Sequence, residues 1–198
     1  MEKRTILVTG GLGLIGHNVV ARLEALGHTV IITDIQTNYG IVPQDELDYL
    51  MSERRKKITT KEIYRIDIAD EEGIDFLMRK FNPDTVIHMA SFPRQKVVNA
   101  NPQLGSRAMS EGLLNLLENA KKHQVKKFLY ISSSMVYGDF KDDVTEDAVC
   151  RPQGQYGIMK LAGEWLVKDY TRSCGLAQDR KSTRLNSSHR CISYAVFC

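Results

Sequence analysis

Short β-branched and apolar runs alternate along this chain with longer segments of helical period. This is the pattern of βαβ units wrapped around a parallel sheet. The spacing predicts strands at 5–9, 29–33, 63–67, 85–89 and 127–132. Between the first two, Leu14, Ile15, Val19, Leu23 and Leu26 form an apolar stripe, and Gly27 stands where a helix on that stripe would end. Asn101-Pro102 reads as an N-cap followed by a first helical residue, opening a helix that carries Leu113, Leu114, Leu116 and Leu117. Five strands in this order predict an α/β fold with a Rossmann-like, doubly wound parallel sheet. The charged segment 44–57 reads as a solvated surface helix with no chemistry assigned to it. Neither an internal repeat nor a low-complexity linker interrupts the pattern.

At 198 residues, 42% hydrophobic and 26% charged, the composition is that of one soluble domain with a buried core, which sets aside disorder and fibrous repeats. The N-terminal apolar run is too short for a signal peptide and no stretch is long enough to span a membrane. The expectation is therefore a cytoplasmic protein with no membrane partner. Cys150, Cys174, Cys191 and Cys198 form no C-x-x-C pair and have no histidine at ligand spacing, so they read as free thiols and no metal site is expected. The net charge of +3 lies entirely in residues 179–198, which hold Arg180, Lys181, Arg184 and Arg190 against Asp179 alone. A neutral body lacks the basic surface that nucleic acid requires, so no nucleic-acid partner is expected.

Candidate chemistry begins after the first strand, where Thr9-Gly10-Gly11-Leu12-Gly13-Leu14-Ile15-Gly16 leads into a helix. Glycines there permit a tight turn and bring backbone N–H groups close to a pyrophosphate at the positive helix end. Asp34 closes the second strand at the spacing of a carboxylate that accepts both ribose hydroxyls of an adenosine. Such a carboxylate repels a 2′-phosphate, so NAD is the expected cofactor rather than NADP. An aspartate merely solvated at a strand end is the plainer reading of Asp34.

Further along stand Ser132-Ser133-Ser134-Met135-Val136-Tyr137-Gly138 and Tyr156-Gly157-Ile158-Met159-Lys160. Tyr156 and Lys160, four residues apart, share a helix face, so an ammonium can lie near a phenol. A free phenol titrates near pH 10, so base character near pH 7 demands about 4 kcal/mol of preferential stabilisation of the phenolate. Together with Gly10-x-x-Gly13-x-x-Gly16, these motifs resemble the extended short-chain dehydrogenase/reductase family, and within it the NAD-dependent epimerases and dehydratases of nucleotide sugars. The resemblance covers roughly residues 4–175.

The resemblance implies that Tyr156 takes a substrate hydroxyl proton while hydride passes to the nicotinamide, with Lys160 and the nicotinamide's positive charge lowering the phenol. It implies that Ser133, four residues before Tyr137, hydrogen-bonds the same oxygen, with Ser132 and Ser134 as alternatives. It adds Gly10, Gly13, Leu14, Ile15, Gly16, Asp34, Asp67, Ile68, Ala90, Tyr156 and Lys160 as cofactor contacts, and a nucleotide sugar as substrate. Helices of this fold often pair, which leaves a homodimer open. His88 reads as structural, and Arg94 and Lys96 as weak candidates for a phosphate. Where the family commonly has an asparagine supporting a water relay to the lysine, this chain has Met109, which cannot hydrogen-bond in that role.

Beyond Gly175 the family continues into a sixth strand and a substrate lobe, whereas 179–189 and 192–198 resemble a translated sequencing adapter. The expectation is a partial NAD-binding domain over 1–178, ending after the catalytic helix with the substrate lobe missing, and a non-native tail over 179–198. Such a fragment of a nucleotide-sugar epimerase or dehydratase would be inactive. The different class left open is a non-catalytic NAD-binding sensor or scaffold of the same fold. Ile192–Phe197 is strand-like by composition.

Overall fold

A computed structural model describes residues 2–37, 39–40, 42–92, 95–139, 144–173 and 194–197. Five strands, β1 (Thr5–Thr9), β2 (Thr29–Thr33), β3 (Ile63–Tyr64), β4 (Thr85–His88) and β5 (Lys127–Ile131), lie parallel in the order β3-β2-β1-β4-β5. A short strand β6 (Tyr194–Phe197) adds antiparallel to β5, with Phe197 opposite Phe128. It falls inside the strand-like segment of the tail; the remainder of the tail expectation, and that for Arg94, lie outside the described residues.

Among the described residues seven α-helices accompany the strands: α1 (Gly16–Ala25), α2 (Gln44–Arg55), α3 (Glu71–Phe81), α4 (Gln95–Ala100), α5 (Pro102–Ser106), α6 (Gly112–Lys122) and α7 (Gly154–Ser173). Alternation along the strands divides the core between the two sheet faces. Leu7, Ile31, Val86 and Phe128 pack with Ile74, Leu77, Leu113 and Val167 from α3, α6 and α7. Ile6, Val8, Val30 and Ile32 pack with Leu12, Val20 and Ile58, with Met51 of α2 against them. Chain order reverses between β1 and β4, and the crevice at the carboxyl ends of these two strands is where an open α/β sheet binds its ligand.

Several sequence expectations need correction. The third strand stops at Tyr64 rather than residue 67 because β2, its neighbour in the sheet, ends at Thr33 opposite it; beyond that side chains make the link, the Thr33 hydroxyl to Ile66 O at 2.9 Å and Arg65 Nε to Ile35 O at 3.2 Å. Leu14 and Ile15 do not belong to the buried stripe of α1: they precede the helix and are 72% and 41% exposed, while Leu12 and Val20 are fully buried. Gly27 does end this helix, at φ +83°. Asn101 precedes Pro102 as expected but caps nothing with its side chain, which turns back to Val97 O. The helix it opens passes through a π turn at Arg107–Glu111 before α6, and Leu114 faces outward. Helix α3 follows no pattern singled out above; Asp70 caps it by accepting from Gly73 N.

Candidate active site

The glycine turn is built by close approaches that exclude side chains. Gly10 N donates to Thr33 O at 2.8 Å, and at φ +69° any Cβ on Gly10 would lie 2.7 Å from Ala90 N. A Cβ on Gly16 would lie 2.1 Å from Gly10 O, so the start of α1 sits directly on the turn. Gly13 differs: its Cβ would meet Gly10 O at 3.1 Å and nothing nearer.

Gly10, Gly13, Leu14, Asp34, Asp67, Ile68 and Ala90 border one cavity of about 390 Å³. Ile15 and Gly16 do not border it; Ile15 faces an outer groove with Asn18 and Val19, and Gly16 is packed beneath the turn. Asp34 Oδ2 accepts from Leu12 N at 3.0 Å and Oδ1 from Gln36 N at 2.8 Å, which fixes the carboxylate at the cavity wall. A carboxylate has about four acceptor positions, so two remain for hydroxyls. Asp67 Oδ1 accepts from Ala69 N, and Oδ2 is 3.6 Å from Arg107 Nε. Buried Ile68 gives its carbonyl to Asn115.

Thr9 ties β1 to β4. Its hydroxyl accepts from Ala90 N at 3.1 Å and bonds His88 Nδ1 at 2.8 Å. His88 is buried against Tyr130, and desolvation, with Lys160 nearby, holds its pKa down to about 3. It is a neutral structural histidine, as the absence of ligand spacing suggested.

The second half of the site forms where β5 meets α7. Ser133 N-caps the 3-10 turn Ser134–Tyr137, its hydroxyl accepting from Met135 N. Gly157 brings α7 onto this turn, since a Cβ there would lie 2.6 Å from Met135 O. Ser133 thereby acts on the Tyr156 phenol, while Ser132 bonds Glu164 instead. Lys160, 4% exposed, donates to Ile131 O at 2.9 Å, with Nζ 6.0 Å from the Tyr156 ring centre. Burial lowers the ammonium to about 8, opposed by Glu164.

Burial raises the Tyr156 phenol, and the Ser133 hydroxyl pulls it partly back. The expected lowering by Lys160 is therefore not built into this arrangement: the ammonium is committed to a carbonyl, and desolvation dominates the phenol. Met109 is buried with Phe92 and Val98, and Tyr156 and Met159 pack on that cluster. An apolar patch thus stands where the family places its asparagine. The two halves adjoin, because Tyr39 and Ala108 border the cavity and pack on the same Phe92–Val98–Met109 cluster that Tyr156 packs on.

Helix α2 corrects the expectation of a merely solvated segment. Leu47, Met51 and Arg54 border the cavity, and the Arg54 guanidinium donates to Leu12 O at 2.9 Å. Tyr39, also at the cavity, stacks on Phe92 with ring centres 3.9 Å apart. No sequence signal marked Arg54 or Tyr39, whereas Glu164 stands at the same four-residue spacing after Lys160 that joins Lys160 to Tyr156. Among the described residues no group of acidic, histidine or cysteine side chains is arranged to hold a metal, and no helix is long and apolar enough to cross a membrane.

Comparison with known proteins places the chain among relatives. A UDP-glucose 4-epimerase of Dictyostelium discoideum is 34% identical over 171 residues, covering 85% of this chain and 47% of that protein. The UDP-glucose 4-epimerase of Thermus thermophilus, solved in complex with NAD, superposes with a TM-score of 0.73 at 29% identity, covering 87% of this chain and 52% of that one. The Thermotoga maritima UDP-glucose 4-epimerase, solved with UDP-glucose, gives 0.72 at 29% identity with the same coverage. The chain thus spans about half the length of the relatives it matches. Residues 6–178 fit the family model throughout, and with the glycine turn, the serine run and the Tyr156–Lys160 pair on the elements just described, the chain belongs to the NAD dependent epimerase/dehydratase family.

Proposed function

We propose that this chain is the cofactor-binding and catalytic half of an NAD-dependent epimerase or dehydratase of nucleotide sugars. The observation that carries the reading is the meeting of Ser133, Tyr156 and Lys160 beside the cavity of the glycine turn. The cavity suits NAD: the turn leading into α1 borders it through Gly13 and Leu14, Gly13 puts no side chain in the way, and Asp34 keeps two acceptor positions for the ribose. NAD, when bound, supplies the hydride acceptor and a positive charge.

In this reading the chain's own residues manage one proton. With its phenol ionised under the positive charge that NAD would bring, the Tyr156 oxygen receives it from a sugar hydroxyl as that carbon becomes a carbonyl, and returns it when the carbonyl is reduced. Ser133 donates to that sugar oxygen as negative charge develops on it. Lys160 holds positive charge beneath the phenol. Asp34 selects NAD over NADP, and Asp67, Ile68 and Ala90 line the adenosine and ribose space.

Residues 179–198 are proposed to be non-native, and the family match ends at residue 178. Natural DNA continuing in frame through Cys198 would refute this. Residues 1–198 are expected to bind NAD without turnover, since the relatives are about twice as long. A cytoplasmic location and pairing into a homodimer belong to the same reading.

One observation favours the alternative of a cofactor-binding sensor: the phenol is raised, and an apolar patch with Met109 stands beside it. Assay of the complete gene product against UDP-, GDP- and dTDP-sugars separates the two. Turnover that Tyr156→Phe abolishes supports the enzyme; NAD binding without turnover, indifferent to that substitution, supports the sensor.

A further inference from the structure

Three consecutive residues at the end of β5 grip three successive turns of α7. Ile131 O accepts from Lys160 Nζ, Ser132 Oγ donates to Glu164 Oε1, and the Ser133 hydroxyl acts on the Tyr156 phenol. Positions 156, 160 and 164 follow one another at one-turn spacing and so share a helix face. The function proposed above uses the first two and leaves Glu164 without a role.

Lys160 is enclosed by Tyr130 of β5, His88 of β4, and Tyr156 and Glu164 of α7. His88 is neutral and both tyrosines are held in the phenol form by burial. Glu164 is the negative charge among these groups. An ammonium taken out of water without a counter-charge sheds its proton. The Ser132 bond also gives this half-buried carboxylate a fixed partner at the strand end, so the charge cannot swing to solvent without breaking it.

We propose that Glu164 is a positioning residue: bonded by Ser132, it seats α7 on the end of β5 and provides the counter-charge that keeps Lys160 an ammonium beside Tyr156. The inference rests on the role given to Lys160 above. Its test reads Lys160 directly, by NMR titration of ¹³C-labelled lysine in residues 1–198 without NAD, the signal being assigned by its loss in Lys160→Met.

In Glu164→Gln the amide still accepts from Ser132 but the charge is gone, and Lys160 binds its proton about tenfold more weakly. In Ser132→Ala the carboxylate remains, and proton affinity stays within about threefold of the parent. An unchanged titration in Glu164→Gln overturns the proposal, as do equal shifts in the two variants. Should Glu164→Gln not fold, Glu164→Asp decides. It keeps the charge, so Lys160 again stays within about threefold, and a tenfold loss overturns the proposal. With NAD and substrate both absent, failure here leaves the proposed function standing. Absence of turnover in the complete enzyme would equally leave this titration unchanged.

Discussion

The glycine turn makes a prediction in which two similar substitutions have opposite signatures. A Cβ on Gly16 would lie 2.1 Å from Gly10 O and 2.9 Å from the Gly11 backbone. Ordinary C···O contacts begin near about 3.3 Å, so the oxygen must retreat by about 1 Å. Its Gly10 is itself pinned, with Ala90 N on one side and the Thr33 carbonyl bond on the other. Overpacking of this kind costs about 1–3 kcal/mol, which lowers the melting temperature by roughly 2–12 °C in a domain of this size. Gly16→Ala therefore loses stability and NAD affinity together.

A Cβ on Gly13 meets Gly10 O at 3.1 Å, a few tenths of an ångström too near, and otherwise points into the open cavity. Gly13→Ala is expected to melt within about 2 °C of the parent while binding NAD at least tenfold more weakly, because the methyl group displaces the approaching pyrophosphate. Thermal denaturation by circular dichroism and calorimetric titration with NAD read the two quantities separately. A Gly13→Ala chain that binds NAD as the parent does, or a Gly16→Ala chain of unchanged stability, refutes the reasoning.

Asp34→Asn removes the charge that repels a 2′-phosphate while keeping an acceptor for Leu12 N, so the ratio of NAD to NADP affinity should fall about tenfold or more by competitive titration. An unchanged ratio would remove Asp34 from cofactor selection. Without NAD, the Tyr156 phenol should ionise above pH 10 in ultraviolet difference titration against Tyr156→Phe, and saturating NAD⁺ should lower it; no movement would show that the charge does not reach the phenol. His88, buried neutral with its pKa held to about 3, supports the fold fully above about pH 6.5, and that support is lost as pH falls below the unfolded value. Urea midpoints should therefore decline with acidification through that range, and less steeply in His88→Gln. Asp75 is held to about 2 by hydrogen bonds from Lys122 and His123, so its contribution is present above about pH 4 and disappears toward pH 2. Asp75→Asn should flatten that lower limb alone, and an unaltered limb would count against the cluster.

The strands were legible because the central ones are buried on both faces, so Thr5–Thr9, Thr29–Thr33 and the starts of β4 and β5 read directly from β-branched runs. The third was overextended because its length is set by where β2 ends, which no local pattern encodes. Leu14 and Ile15 misled for a related reason: apolar residues at helical spacing do not reveal that the chain is still in the glycine turn. The motifs pointed to residues that the structure brings to the cavity and to the β5–α7 junction, and Ser133 separates from Ser132 only once β5 and α7 are packed, when one hydroxyl faces Tyr156 and the other Glu164. The balance of forces on the phenol was not legible at all. Desolvation depends on how Tyr156 packs on Phe92, Val98 and Met109, which come from separate segments of the chain.

The central claim is that the cavity and the Ser133–Tyr156–Lys160 group form one redox site. The most direct measurement is absorbance at 340 nm when nucleotide sugars are added to the complete, NAD-loaded gene product. The account predicts that at least one UDP-, GDP- or dTDP-sugar produces enzyme-bound NADH together with isomerised or dehydrated sugar, and that Tyr156→Phe suppresses both while NAD remains bound. Tight NAD binding with neither signal for any of these sugars would contradict it.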